Sequence, residues 1–160
     1  MGRGSNIEIR NCREDDIEAL IELWKELMID QGWRGDVDDP ERQKPYRDSY
    51  LRSIRKEPEG FFIAILNGEA VGFARAYTKT EIQRIRSRRK IGEVSPCVVK
   101  REFRRKGIGT RLMERCFEYL KREGCGSVIL HVTHDNTPAI KFYEKLGFKP
   151  LQVQMVKWKL

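Results

Sequence analysis

The residues best placed to do chemistry are Val98-Val99-Lys100-Arg101-Glu102-Phe103-Arg104-Arg105-Lys106-Gly107-Ile108-Gly109-Thr110-Arg111-Leu112, an apolar strand pattern feeding a basic, glycine-containing turn that opens a helical pattern. Such a turn is suited to an anion. The first N–H groups of a helix lack intrahelical acceptors and sit at the positive end of its dipole, so a pyrophosphate can accept several hydrogen bonds there. Gly107 and Gly109 let phosphates approach the backbone closely. Arg104, Arg105 and Lys106 add positive charge, and charge-assisted hydrogen bonds are roughly twice as strong as neutral ones. A P-loop would need Gly-Lys-Ser/Thr at the helix start and a Rossmann turn a third glycine near Leu112; neither is present. Alone, Arg-x-x-Gly-x-Gly also fits an ordinary basic loop with a glycine turn.

Several elements must position that turn. Ile7 to Arg10 alternates like a short strand, and Ile17, Leu20, Ile21, Trp24, Leu27 and Met28 recur at helical spacing behind Asp15 and Asp16. A loop rich in glycine and charge, Gln31 to Asp38, leads to Asp39-Pro40, a cap and first-turn proline for a helix through Tyr46, Tyr50, Leu51 and Ile54 to about Lys56. Phe61 to Leu66 and Ala70 to Tyr77 flank Asn67-Gly68, a hairpin signal because both central residues of a type I′ turn need positive φ. Ile91 to Val99 is an apolar strand interrupted by Pro96, which implies an edge, a bulge or a break in pairing. After the basic turn, Ile108, Leu112, Met113, Cys116, Phe117 and Leu120 share one helix face, closed by Gly124. Val128 to Thr133 reads as a strand, Thr137-Pro138 opens a helix stopped by Gly147, and Phe148 to Leu160 alternates as a last strand or two.

A length of 160 residues suits one domain, 1–160, with residues 1–5 expected to be disordered. No stretch approaches the run of about 18 apolar residues that spans a bilayer, and Met1-Gly2-Arg3-Gly4-Ser5 lacks a signal-peptide core, so a soluble, cytoplasmic protein without a membrane partner is expected. The net charge of +8 attracts polyanions of every kind and does not choose among nucleic acid, acidic proteins and small phosphorylated molecules. Cys12, Cys97, Cys116 and Cys125 lack the close pairing of a zinc or redox motif, and His131 and His134 lack a ligand set, so no metal is expected.

Two segments together resemble a known family. Arg104 to Gly109 is similar to the Gln/Arg-x-x-Gly-x-Gly/Ala motif of the GCN5-related N-acetyltransferases (GNAT). Asn136-Thr137-Pro138-Ala139-Ile140-Lys141-Phe142-Tyr143-Glu144-Lys145-Leu146-Gly147-Phe148 looks like that family's second signature, Asn-x-x-Ala-x-x-x-Tyr-x-x-x-Gly-Phe, at the expected distance. The upstream order of elements fits along nearly the whole chain. The resemblance implies a mixed α/β fold whose mostly antiparallel sheet has roughly six or seven strands, splayed between the fourth and fifth, with about four helices. It implies acetyl-CoA as cosubstrate, its pantetheine arm lying between the splayed strands like an added strand. The backbone of Cys97, Val98 and Val99 would then pair with the arm and acetyl group, Arg104, Arg105, Lys106, Gly107, Ile108, Gly109 and Thr110 would hold the pyrophosphate, and Asn136 would contact the arm from the other side. Asn136 also suits a turn or helix cap, and both roles can coexist.

Acyl transfer from a thioester to an amine needs a neutral amine, a donor to the oxyanion and a proton for the departing thiolate. A lysine-type amine has a pKa of about 10.4, so a base must take its proton directly or through water. Glu93 lies eleven residues before Arg104, where the histone-acetylating branch carries its glutamate base; a salt-bridged glutamate is the alternative. Tyr143 matches the tyrosine that the family places to protonate the coenzyme A sulfur. A backbone N–H in the Val98 to Lys100 region would meet the oxyanion. Cys97 has no visible partner base, and direct transfer needs no nucleophile. The Gln31 to Asp38 loop, with Trp33, stands where the family builds its substrate wall. The basic run Ile82 to Lys90, most often a solvated loop, could attract an acidic protein or the cofactor phosphates. The expected reaction moves acetyl to a primary amine, a protein N-terminus, a lysine or a small molecule, and homodimers through the last strands are common in such proteins. A nucleic-acid or ribosome-associated binding module, or an acetyl-CoA sensor without turnover, are rival readings. Neither explains why the glycines, Asn136 and Tyr143 fall in family register, so nucleic acid is not the expected partner.

Overall fold

Apolar residues at a period of two build the sheet and those at three-to-four-residue spacing build the helices. The computed structural model describes residues 6–79 and 90–159. The expectations for residues 1–5 and for 82–89 of the basic run lie outside the described residues. The chain divides into two compact units, one up to Leu130 and one from His131. The first contains β1 (Ile7–Asn11), α1 (Ile17–Asp30), α2 (Pro40–Lys56), β2 (Phe61–Leu66), β3 (Glu69–Lys79), β4 (Lys90–Val99), α3 (Ile108–Arg122) and β5 (Cys125–Ile129). Its strands form one sheet in chain order, antiparallel from β1 to β4 and parallel between β4 and β5. α3 is the crossover that parallel pairing demands.

Local chemistry starts and stops these elements where the residue types require. The Asp39 carboxylate accepts from the Glu41 N–H at 3.0 Å, capping α2 ahead of Pro40. Asn67 and Gly68 turn the β2–β3 hairpin at φ 51° and 80°. Leu20, Leu23 and Trp24 of α1 and Tyr50 and Ile54 of α2 pack with Phe61, Ile63, Phe73 and Val98 of the sheet; fully burying a side chain of this size contributes about 1.5–3 kcal/mol. α3 covers the opposite face with Leu112, Met113, Cys116 and Leu120. Gly92 allows that close approach, because a Cβ there would meet Leu120 Cδ1 at 2.6 Å. Glu93, the next residue on β4, therefore points to the α2-bearing face.

The mixed fold with a parting between the fourth and fifth strands is as expected, but the sheet has five strands among the described residues rather than six or seven. β5 runs over Cys125–Ile129, not Val128 to Thr133, because Gly124 (φ 82°) releases the chain straight into parallel register with β4, from Lys90 opposite Cys125 to Glu93 opposite Ile129. Pairing, rather than the apolar letters of 128–133, sets its bounds. The alternation after Phe148 yields no strand among residues 149–159, where Leu151, Val153, Met155, Val156 and Trp158 are exposed. Alternation needs a ladder partner to become a strand. The second unit carries α4 (Thr137–Lys145), which Gly147 follows at φ 92°.

Candidate functional site

The site is organised by an irregularity in β4. Ala74 to Ala76 is an advance of two residues on β3, whereas the matching advance on β4, Cys97 to Val94, is three. The extra residue places a bulge at Ser95 and Pro96, opposite Arg75, and a bulge bends its strand away from regular pairing. Pairing with β5 ends at Glu93 and Ile129. Among the described residues, Val94 to Val99 keep β3 as their one strand neighbour, so the other edge of β4 is open along Cys97, Val98 and Val99.

That edge runs into the glycine turn. Arg105 and Gly107 take positive φ, 62° and 79°, and Gly107 caps α3 with nothing within 4 Å of where a Cβ would stand. The first helical bond of α3 runs from the Arg111 N–H to the Gly107 carbonyl at 3.1 Å, which leaves the N–H groups of Ile108, Gly109 and Thr110 ahead of it as the helix's opening donors. Arg104 is exposed but tied down. Its Nε donates to the Val99 carbonyl at 2.8 Å and its guanidinium pairs with Asp30, which also takes Arg101 at 2.6 Å. Burial works upward on the Asp30 carboxyl, but hydrogen bonds from Arg104 and Arg101 outweigh it and hold the group below the usual range. Arg105 and Lys106 are exposed, with the Lys106 ammonium 5.4 Å from the Phe103 ring centre.

On the α2 face lies a polar cluster that sequence reasoning named only through Glu93. Glu93 is 4% exposed, forms an ion pair with Lys79 and accepts from the Tyr77 hydroxyl, its cross-strand neighbour. Burial first, and then that hydrogen bond, pushes the Tyr77 phenol up to about 12. Arg75 joins the cluster, its guanidinium 5.4 Å from the Tyr77 ring. Arg75, Tyr77 and Lys79 share one strand face by period two, a signal present in the sequence, but the bulge decides which β4 residues they meet. Burial pushes the Cys97 thiol up to about 12, so it stays protonated at neutral pH and is a poor nucleophile. In the α1–α2 loop the Arg42 guanidinium lies 5.9 Å from the half-exposed Trp33 ring.

In the second unit Asn136 caps α4, its Oδ1 accepting from the Ala139 N–H at 3.3 Å. The Tyr143 ring lies 5.2 Å from that of Phe142 and 5.8 Å from that of Phe148. His131 and His134 are exposed, and no group of His, Cys, Asp or Glu among the described residues could hold a metal ion. No helix among them is long and apolar enough to cross a membrane.

An open strand edge that ends in a glycine turn with free space before a helix N-terminus fits a long molecule with a strand-like arm and a pyrophosphate. A family model described as acetyltransferase (GNAT) family matches residues 17–148. The chain belongs to this family. An uncharacterized N-acetyltransferase of Methanocaldococcus jannaschii is 34% identical over 146 residues, 91% of this chain, which spans 62% of that relative's length. An N-alpha-acetyltransferase of Saccharolobus solfataricus is 29% identical over 155 residues, covering 94% of this chain and 85% of the relative. Among solved structures, an aminoglycoside N-acetyltransferase in complex with CoA aligns with a TM-score of 0.76 at 23% identity, over 99% of this chain and 98% of the other, and shares the GNAT fold. Acetyl transfer is the enzyme class that goes with GNAT membership.

Proposed function

We propose that this chain moves an acetyl group from acetyl-CoA to a primary amine of a protein, with an N-terminal α-amine as the first acceptor to test. The observation that carries the reading is the parting of β4 from β5 after Glu93, which among the described residues leaves Cys97 to Val99 without a partner strand on that side ahead of the Arg104 to Gly109 turn. Acetyl-CoA supplies an acyl group activated as a thioester. The main chain of Cys97, Val98 and Val99 offers ladder groups to the arm, and the N–H groups of Gly107, Ile108, Gly109 and Thr110 offer donors to the pyrophosphate, with Arg105 and Lys106 adding charge. Arg104, tied to Asp30 and Val99, keeps the turn in shape. The place of Asn136 and Tyr143 in the second signature supports an arm contact for the first and a proton from the Tyr143 hydroxyl to the leaving sulfur for the second. Glu93 takes the amine proton, directly or through water, on the face that carries α2. The relatives named N-alpha-acetyltransferases support the N-terminal acceptor.

The test is thiol release from acetyl-CoA with peptides of matched sequence, one with a free N-terminus and no lysine, one with a blocked N-terminus and a single lysine. Turnover on the first peptide is expected. Turnover on the second alone would move the acceptor to lysine. Silence on both, with turnover on small polyamines or aminoglycosides, would contradict a protein substrate.

A further inference from the structure

Arg75 has no part in the chemistry above, yet it is a half-buried cation on which β3, β4 and α2 meet. It stands on β3 opposite the bulge, and its Nε donates to the Ser95 carbonyl at 3.0 Å. Its Nη1 reaches Ser49 Oγ and Ser53 Oγ of α2, each at 3.1 Å. The guanidinium also lies 5.7 Å from the Tyr50 ring and 5.4 Å from the Tyr77 ring, so aromatic faces orient it. A bulge disrupts its ladder locally, and the half-buried Ser95 carbonyl there takes its donor from Arg75 instead. A planar guanidinium serves β4 through Nε and α2 through Nη1 in one fixed fork, whereas a lysine carries its three donors on a single nitrogen.

We propose that Arg75 is a positioning residue that clamps α2 to the β4 bulge through Ser95, Ser49 and Ser53, holding the amine-side wall in register with the open edge of β4. The inference rests on the acetyltransferase reading. α2 continues from the loop assigned to the amine, and the bulge sets where Cys97 to Val99 lie, so loosening the clamp misaligns amine and acyl donor without touching the pyrophosphate turn. Misplacement of reacting groups by about an ångström can cost on the order of a hundredfold in rate.

The test compares steady-state kinetics on the free-N-terminus peptide with calorimetric acetyl-CoA binding for the unmodified chain, Arg75→Lys, Arg75→Ala and the double variant Ser49→Ala with Ser53→Ala. For Arg75→Lys and Arg75→Ala, kcat is expected to fall about tenfold or more while acetyl-CoA affinity stays within about threefold. Millimolar guanidinium should restore part of the Arg75→Ala rate and leave the unmodified chain unchanged. The serine pair, which loses only the α2 half of the clamp, should show the same split at about threefold to tenfold; it decides alone if Arg75→Ala does not fold. A folded Arg75→Lys with unchanged kcat and KM, beside an active unmodified chain, would overturn the inference and spare the acetyltransferase reading. So would a rate lost in proportion to acetyl-CoA affinity with no guanidinium rescue. An unmodified chain that binds no acetyl-CoA would overturn both.

Discussion

The turn from Arg104 to Thr110 presents backbone N–H groups to open space, whereas the α2 face of β3 and β4 presents side chains that already engage one another: Glu93 with Lys79 and Tyr77, and Arg75 with Ser95, Ser49 and Ser53. The first region is defined by what glycine leaves out. The second is defined by which side chains the bulge brings opposite each other. Main-chain donors survive most substitutions nearby and are lost when a side chain is added; a side-chain cluster fails on truncation and responds to pH. The two regions should therefore break in different ways.

The largest effect is expected where the cluster is proposed to take the amine proton. Glu93→Gln keeps the shape of the carboxylate and removes its basicity, so kcat/KM should fall about a hundredfold. An unchanged kcat/KM would make the Lys79–Glu93 pair structural and leave water as the base. A smaller effect separates the regions at high pH. The Tyr77 phenol is raised from an unfolded value of about 10 to about 12, so the folded state favours its protonated form. The stability it contributes is complete below about pH 10 and is lost as pH rises toward 12. Tyr77→Phe should lose less Tm across that interval, by on the order of a few degrees; parallel melting curves would show that burial of this hydroxyl has no stability consequence. The smallest effect belongs to the turn's anchor. The Asp30 carboxyl is held down by Arg104 and Arg101, so its contribution is present above the unfolded value of about 3.9 and is lost as pH falls through the lower folded value. Asp30→Asn should be less stable at neutral pH and lose less on acidification. An acid profile identical to that of the unmodified chain would mean these ion pairs do not hold the turn.

The same contrast explains what could be read from the letters. Asn67-Gly68, Asp39-Pro40, Gly107 and Gly124 name their own backbone geometry, so the hairpin, the α2 start, the anion turn and the end of α3 are legible residue by residue. The apolar face of α3 is legible too, apart from Tyr119, which is buried where Phe117 was the expected aromatic. Asp30 is a different matter, because nothing in the order of residues ties it to Arg104, 74 positions away. Arg75, Tyr77 and Lys79 needed the bulge register, a long-range quantity that Pro96 announces without fixing which neighbours result. The apolar alternation after Phe148 shows the opposite error, a strand pattern with no ladder partner among the described residues.

The most direct test of a donor site built from main chain is calorimetric titration of acetyl-CoA into three proteins: the unmodified chain, Gly107→Glu, and the double variant Arg105→Ala with Lys106→Ala. Gly107→Glu sets bulk and a negative charge at a φ of 79° in the open space before α3, so a folded variant should lose at least about a hundredfold in affinity. Removing both exposed cations should cost no more than about tenfold, since exposed charges are screened by solvent and salt. The reverse order, with the glycine variant binding normally and the double variant not at all, would contradict the account and assign the anion to the side chains.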